Sequence, residues 1–194
     1  AKNKSFYYPL SGLLVLGAIY YFSLYEKGDW VLWFCDHFNH FVYNTFEYIT
    51  LLAEPQIILP IAIVVFLFNI GSGTMVLSSW LFASLITIGL KNLLQLNRPP
   101  FYYKAEFIAC TGNTEFFYNL STPSGHTTAA FAFFASLAIL SKNHWLKSFF
   151  LFIALLIGLS RIVLLVHFYY DVYLGAFIGA FTTLFVFWLF LRKN

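Results

Sequence analysis

A histidine and an aspartate near the C-terminal end of the sequence have a spacing that suits chemistry. His167 and Asp171 are four residues apart in the segment SRIVLLVHFYYD, residues 160–171. Side chains four residues apart meet on one face of a helix. A carboxylate that holds one ring nitrogen of a histidine fixes the tautomer and leaves the other nitrogen free to act. The spacing therefore predicts an oriented, reactive imidazole.

A second histidine, His126, ends the polar stretch STPSGH, residues 121–126, which opens an apolar segment running to Leu140. The first N–H groups of a helix are unpaired and the helix dipole is positive there, so this end can bind an anion. Gly125 allows an anion to approach the backbone closely. Ser124 could instead cap the helix, but capping does not explain the histidine. We expect the polar start of this helix to face an anion.

Three cations lie in apolar surroundings: Lys91, Arg98 and Arg161. Ionisable groups at membrane depth face a cavity, pair with one another or mark a functional site. Snorkelling to the interface would explain Lys91 alone, but not the set. Lys91 and Arg98 are seven residues apart and should share a helix face, until Pro99 and Pro100 end the helix. Together with the two histidines, these cations predict a site for a tetrahedral oxyanion such as phosphate.

The elements that carry these residues are predicted to be membrane helices. The composition is 60% hydrophobic and 10% charged, against roughly 25% charged in soluble domains. About 20 apolar residues cross the hydrocarbon, and six segments qualify approximately: 7–25, 55–69, 74–96, 125–140, 146–166 and 170–191. Segment 30–53 mixes aromatic and polar residues, which favours a helix lying at the interface, although a seventh span stays open. We predict an all-α, polytopic membrane protein with one domain over residues 1–194.

The distribution of charge predicts the orientation in the membrane. Six spans place both termini on one side, which carries basic residues and no acid: Lys2, Lys4, Lys142, Lys147, Arg192 and Lys193. All eight acidic residues fall on the other side. The positive-inside rule then predicts cytoplasmic termini and a site that faces outward. The net charge of +3 is assigned to loops near anionic lipid, and no nucleic-acid partner is expected.

The cysteines and the remaining histidines give weaker signals. Cys35 and Cys110 both fall on the outer side, where a disulfide and two free thiols are both open. His37 and His40 could share a helix face beside Asp36, but no further ligand follows them in the sequence. We therefore predict no metal site.

Three blocks of this sequence resemble the signature of the type 2 phosphatidic acid phosphatase superfamily. The blocks are KNLLQLNRP at 91–99, PSGH at 123–126 and SRIVLLVHFYYD at 160–171. The signature reads Lys, six residues, Arg-Pro; then Pro-Ser-Gly-His; then Ser-Arg, five residues, His, three residues, Asp. All three blocks match in full and in order. The resemblance implies a six-helix membrane core and a phosphatase that uses no metal or other cofactor and forms a covalent phosphohistidine.

The resemblance also implies a role for each matching residue. His167 would be the nucleophile and Asp171 would orient it. His126 would protonate the leaving alkoxide and then activate water. The phosphate oxygens would be bound by Lys91, Arg98, Ser124, Gly125 and Arg161, with Ser160 in support.

The function that these inferences favour is removal of a terminal phosphate from a membrane lipid at the outer face of a bacterial inner membrane. The candidate substrates are undecaprenyl pyrophosphate, phosphatidylglycerol phosphate, phosphatidic acid and the phosphates of lipid A. Segments 30–53 and 100–123 would shape the choice among them. A lipid phosphotransferase could use the same site. A transporter or other non-catalytic membrane protein is the third reading, and the order of the histidines and the aspartate argues against it.

Overall fold

A computed structural model describes residues 33–34, 36–37, 39–114 and 117–193 of the chain. From residue 39 onward these residues form eight helices and no strand, which confirms the all-α fold class. In chain order the helices are α1 (His40–Leu51), α2 (Pro55–Phe68), α3 (Ile70–Leu94), α4 (Pro99–Tyr102), α5 (Lys104–Thr111), α6 (Gly125–Leu140), α7 (His144–Val163) and α8 (Tyr169–Lys193). The first predicted span, 7–25, lies outside the described residues, so the count of six stays a prediction.

Most of the long helices have the length and composition of membrane spans. In the described part of the chain, four stretches are long and apolar enough to cross a bilayer: His40–Phe68, Ile70–Tyr102, His144–Val163 and Tyr169–Arg192. Helix α6 is apolar but shorter. Large apolar side chains such as Phe82, Phe152 and Phe181 are exposed on the outside of the bundle, as expected for surfaces in contact with lipid. The protein is therefore an integral membrane protein.

Helix α3 ends earlier than the prolines predict. Its last residue is Leu94, because Gln95 adopts the left-handed conformation with φ of 47° and breaks the helix. Arg98 lies four residues beyond this end, where it precedes the short helix α4. The prediction that Lys91 and Arg98 share a helix face is therefore wrong.

The segment predicted to lie at the interface forms a helix that turns directly into the next one. Helix α1 ends at Leu51, and residues 52–54 form a turn before Pro55 starts α2. Helix α1 packs against α7 and α5. Its position at the membrane interface stays a prediction, but the turn brings residues 50–54 to the same end of the bundle as the N-terminus of α6.

Helix α6 is the centre of the bundle. It packs against α3, α7 and α8, and almost all of its residues from Thr127 to Ile139 are buried. Its 16 residues make a helix about 24 Å long, which is shorter than the roughly 30 Å of hydrocarbon. The preceding residues 121–124 are buried as well. The start of α6 is therefore enclosed by the rest of the protein.

Two glycines allow α8 to pack directly against the start of α6. A Cβ atom at Gly175 would lie 2.7 Å from the backbone oxygen of Ser124, and one at Gly179 would lie 2.6 Å from that of Thr128. Small residues at such positions let membrane helices approach to backbone contact. Asp171, Gly175 and Gly179 follow one another at intervals of four residues, so one face of α8 carries both the aspartate and the contact with α6.

Replacing Gly175 by alanine should separate α6 from α8, because the added methyl group meets backbone that cannot rotate away. We expect a loss of about 1–3 kcal/mol in stability, measured as a lower midpoint of thermal unfolding in detergent. The matched control is Gly89→Ala in α3, where an added Cβ meets nothing within 4 Å. Alanine should keep or raise the midpoint there. Equal effects at the two positions would contradict the packing described.

Candidate active site

Six of the nine predicted site residues line one cavity of about 380 Å³: Lys91, Arg98, Gly125, His126, Arg161 and His167. They come from the end of α3, the loop that follows it, the start of α6, the end of α7 and the connection to α8. Ser124, Ser160 and Asp171 are fully buried and do not line the cavity. The three signature blocks therefore converge on one end of the bundle.

His167 lies in the connection between α7 and α8. Leu165 has a left-handed backbone with φ of 58°, and the N–H groups of Val166 and His167 both donate to the backbone oxygen of Arg161, each at 3.2 Å. The chain thus reverses immediately after α7. His167 precedes α8, which begins at Tyr169. The prediction that His167 and Asp171 lie on one face of a helix is therefore wrong, although the two side chains do meet.

The ring of His167 is 2% exposed, and its Nδ1 lies 3.5 Å from Oδ2 of Asp171. Burial holds the pKa of His167 well below its ordinary value, because charging the ring in this environment is costly; the neighbouring Asp171 opposes this shift only in part. The imidazole is therefore neutral at neutral pH. A neutral imidazole has the lone pair that a nucleophile requires.

The carboxylate of Asp171 is completely buried and collects donors from two segments of the chain. The hydroxyl of Ser121 donates to Oδ2 at 2.5 Å, and the hydroxyl of Thr122 donates to Oδ1. The backbone N–H of Phe168 donates to Oδ2 at 2.9 Å. The backbone oxygen of Asp171 accepts from the N–H of Ser124 at 2.9 Å. These bonds fasten the segment before α6 to the start of α8.

The polar side chains before α6 therefore bind other groups of the protein and not an anion. The hydroxyls of Ser121 and Thr122 are used by Asp171, and the hydroxyl of Ser124 accepts from Thr127 at 2.9 Å instead of capping the helix. Of this stretch, Gly125 and His126 line the cavity. The expectation that the whole stretch faces an anion is wrong, because a buried carboxylate needs donors of its own.

The cations of the first signature block are held by backbone oxygens of the segment before α6. The ammonium group of Lys91 donates to the oxygen of Leu120, and Nε of Arg98 donates to that of Asn119 at 3.0 Å. The two guanidinium Nη groups of Arg98 are not used in that bond, and its side chain lines the cavity. These contacts orient both charges toward the same space.

Arg161 connects the cavity to a second, neighbouring one. Its side chain is buried, Nη1 donates to the hydroxyl of Thr50 at 2.7 Å, and Nε has no partner in the described part of the chain. It also lines a cavity of about 440 Å³ beside α1, whose walls include Asn44 and Glu47. Ser160, by contrast, donates to the backbone oxygen of Ile157 at 2.6 Å and supports α7 only.

Two residues at the site were missed by sequence reasoning. Glu54 places Oε1 2.8 Å from Nε2 of His126, and Thr50 binds Arg161. Both lie at the α1–α2 turn, far from the three signature blocks in sequence. The only local signal in the sequence is that Glu54 stands directly before a helix that starts with Pro55. An acidic residue in that position is normally interpreted as a helix cap.

Cys110, at the end of α5, is disulfide-bonded. The sequence contains one other cysteine, Cys35, which lies outside the described residues. Phe107 in the same helix contributes to the walls of both cavities. The disulfide at Cys110 therefore restrains α5, and with it the part of the cavity walls that Phe107 forms.

Comparison with known proteins places the chain in a family. The model of the PAP2 superfamily matches residues 72–194, more than half of the chain, and the protein belongs to this superfamily. It is thus a membrane enzyme, a phosphatase acting on lipid phosphates. No curated protein sequence matches the chain.

Two solved structures share the fold. LpxE from Aquifex aeolicus is 21% identical with a TM-score of 0.75, and the match covers 84% of this chain and 96% of that one. The first transmembrane PAP2 type phosphatidylglycerolphosphate phosphatase from Bacillus subtilis is also 21% identical, with a TM-score of 0.72, and the match covers 85% of this chain and 84% of that one. At this identity the likeness concerns the fold.

The low pKa of His167 predicts a loss of stability in acid. The unfolded chain protonates this histidine below about pH 6.5, whereas burial keeps the ring neutral in the folded protein. Its contribution is therefore complete above that pH and is lost as the pH falls, by up to about 2 kcal/mol at pH 5. Thermal unfolding in detergent at pH 7 and pH 5 should show a smaller loss for His167→Asn than for the wild type. Equal losses would contradict the prediction.

Proposed function

We propose that this protein hydrolyses the terminal phosphate of a lipid phosphate or pyrophosphate, with His167 as the nucleophile. The observation that carries the proposal is that a buried histidine, paired with a buried carboxylate, lines the same cavity as three cations. The cations match the charge of a phosphate group. The pair supplies an oriented nitrogen that is uncharged before the reaction.

The reaction proceeds in two steps. In the first, Nε2 of His167 attacks phosphorus, the bond to the lipid oxygen breaks, and His126 gives a proton to the departing oxygen. In the second, His126 takes a proton from water, the resulting hydroxide attacks the phosphohistidine, and phosphate leaves with His167 restored. Asp171 balances the positive charge on His167 while it is phosphorylated.

The non-bridging oxygens of the phosphate are assigned to Lys91, Arg98, Arg161 and the N–H of Gly125. Arginine suits two of these positions because its planar guanidinium group can bind two oxygens at once. Ser124 would join them only by rotating its hydroxyl away from Thr127. Ser160 keeps a supporting role at the end of α7.

The substrate is assigned to the lipids whose phosphate is terminal: undecaprenyl pyrophosphate, phosphatidylglycerol phosphate, phosphatidic acid or a phosphate of lipid A. The name of the Bacillus subtilis relative supports keeping phosphatidylglycerol phosphate in this set. The cavity beside α1 adjoins the phosphate cavity through Arg161 and offers room for the group that carries the phosphate. We place the reaction at the outer face of a bacterial inner membrane, as the charge distribution favours.

The test is phosphate release by the purified protein in detergent with EDTA present, measured against each of these four lipid classes. We expect release that His167→Asn lowers by at least about a thousandfold, because removal of a nucleophile abolishes the covalent route. His144→Asn is the matched control, since His144 is exposed at the opposite end of α7, and it should keep the wild-type rate. Release that persisted in His167→Asn would show that the nucleophile is a different residue.

A phosphotransferase would give a different product from the same assay. With a short alcohol added, hydrolysis alone yields inorganic phosphate, whereas transfer yields the phosphate ester of the alcohol. We expect inorganic phosphate to remain the main product. Predominance of the ester would replace the hydrolase by the transferase.

A further inference from the structure

A carboxylate from outside the signature blocks binds one of the two site histidines. Oε1 of Glu54 lies 2.8 Å from Nε2 of His126, and the two side chains are 31% and 30% exposed. This is the shorter of the two histidine–carboxylate contacts at the site, since His167 and Asp171 are 3.5 Å apart. Glu54 precedes residue 72, where the match to the PAP2 superfamily begins.

Glu54 is available for this contact because it does not cap its own helix. It occupies the N-cap position of α2, where a carboxylate commonly accepts from the first N–H groups of the helix, but its side chain makes no cap hydrogen bond. Pro55 removes one of those donors. The turn that carries Glu54 is fixed by the buried Ala53 and by Thr50, which accepts from Arg161.

The positive charges around His126 explain why this histidine needs a carboxylate beside it. His126 shares its cavity with Arg98 and Arg161, and these like charges oppose protonation of the histidine beside them. A general acid must nevertheless hold a proton before the leaving group departs. Glu54 is the acidic side chain bound to His126, and it supplies the opposite charge that this proton needs.

We propose that Glu54 is a positioning residue for His126: it holds the Nε2–H tautomer and stabilises the protonated ring that gives a proton to the leaving alkoxide. The inference rests on the proposed function and adds to it a second histidine–carboxylate pair. His167 and Asp171 form the nucleophilic pair, and His126 and Glu54 form the acid–base pair.

The proton balance follows from the hydrogen bond. Nε2–H of His126 stays with Glu54 throughout, so Nδ1 is the nitrogen that exchanges protons. In the first step Nδ1 gives its proton to the lipid oxygen as the P–O bond breaks, and the ring becomes neutral. In the second step Nδ1 takes a proton from the attacking water, and the imidazolium with its partner Glu54 is restored.

The experiment compares two substrates with the same alkyl chain and different leaving groups. Dodecyl phosphate releases an alkoxide, which must be protonated, whereas a nitrophenyl phosphate carrying the same dodecyl chain releases a stable nitrophenolate, which needs no proton. For Glu54→Gln we expect kcat for dodecyl phosphate to fall by about 10- to 100-fold, with KM unchanged. The single-turnover burst of nitrophenolate should change by less than about threefold, because that step needs no general acid.

Two controls separate this role from a structural one. Lys142→Gln, which removes an exposed charge between α6 and α7 and lines neither cavity, should keep wild-type rates with both substrates. The midpoint of thermal unfolding identifies any variant that has lost its fold. Glu54→Asp, which keeps the charge, is the second variant, and it should recover part of the activity toward dodecyl phosphate.

Three outcomes would overturn the inference. The first is no loss with either substrate, and the second is an equal loss of the nitrophenolate burst and of dodecyl phosphate turnover in a folded variant. The third is a Glu54→Asp variant that recovers nothing. If the proposed function itself is wrong, the wild-type protein releases no phosphate from either substrate, which is distinct from all three.

Discussion

The buried carboxylate of Asp171 is the constraint on which the site depends. A charge removed from water must be matched by donors, and loss of such a partner typically costs several kcal/mol. Asp171 therefore draws in the hydroxyls of Ser121 and Thr122 and the N–H of Phe168, while its own backbone oxygen holds Ser124. The same group orients His167. One side chain thus fixes the start of α6 relative to His167.

Around this point the bundle is arranged to leave a polar cavity inside a membrane protein. Helix α6 is shorter than the hydrocarbon is thick, and the buried residues 121–124 fill the space above its N-terminus. Gly175 allows α8 to reach that segment directly. The α1–α2 turn closes the other side, where Thr50 and Glu54 contact a cation and a histidine of the signature. The site is therefore assembled from the signature blocks and from the α1–α2 turn, which precedes all of them in the sequence.

The class of the protein and most of the groups that line the cavity can be predicted from the residues alone. Hydropathy is a local property, so the apolar segments could be located, and α6 begins and ends at the predicted residues. The signature blocks contain Lys91, His126 and His167 at fixed intervals, and these residue types identify phosphate chemistry whatever their mutual distances. The ends of the helices are harder to predict. Helix α3 ends at Leu94 because Gln95 adopts a left-handed conformation, and no pattern of apolar residues encodes that conformation.

The pairing of the polar groups, by contrast, depends on how the helices fold together. Ser121 and Thr122 were expected to face an anion, but their hydroxyls donate to the carboxylate of Asp171 on another helix. Glu54 stands directly before a helix, where an acidic residue commonly serves as a cap, but folding places its Oε1 2.8 Å from Nε2 of His126. Such pairings depend on the crossing of helices that are distant in sequence. A hydrogen bond has a short range, so its partner is set by where the backbone places each group and cannot be read from residue types alone.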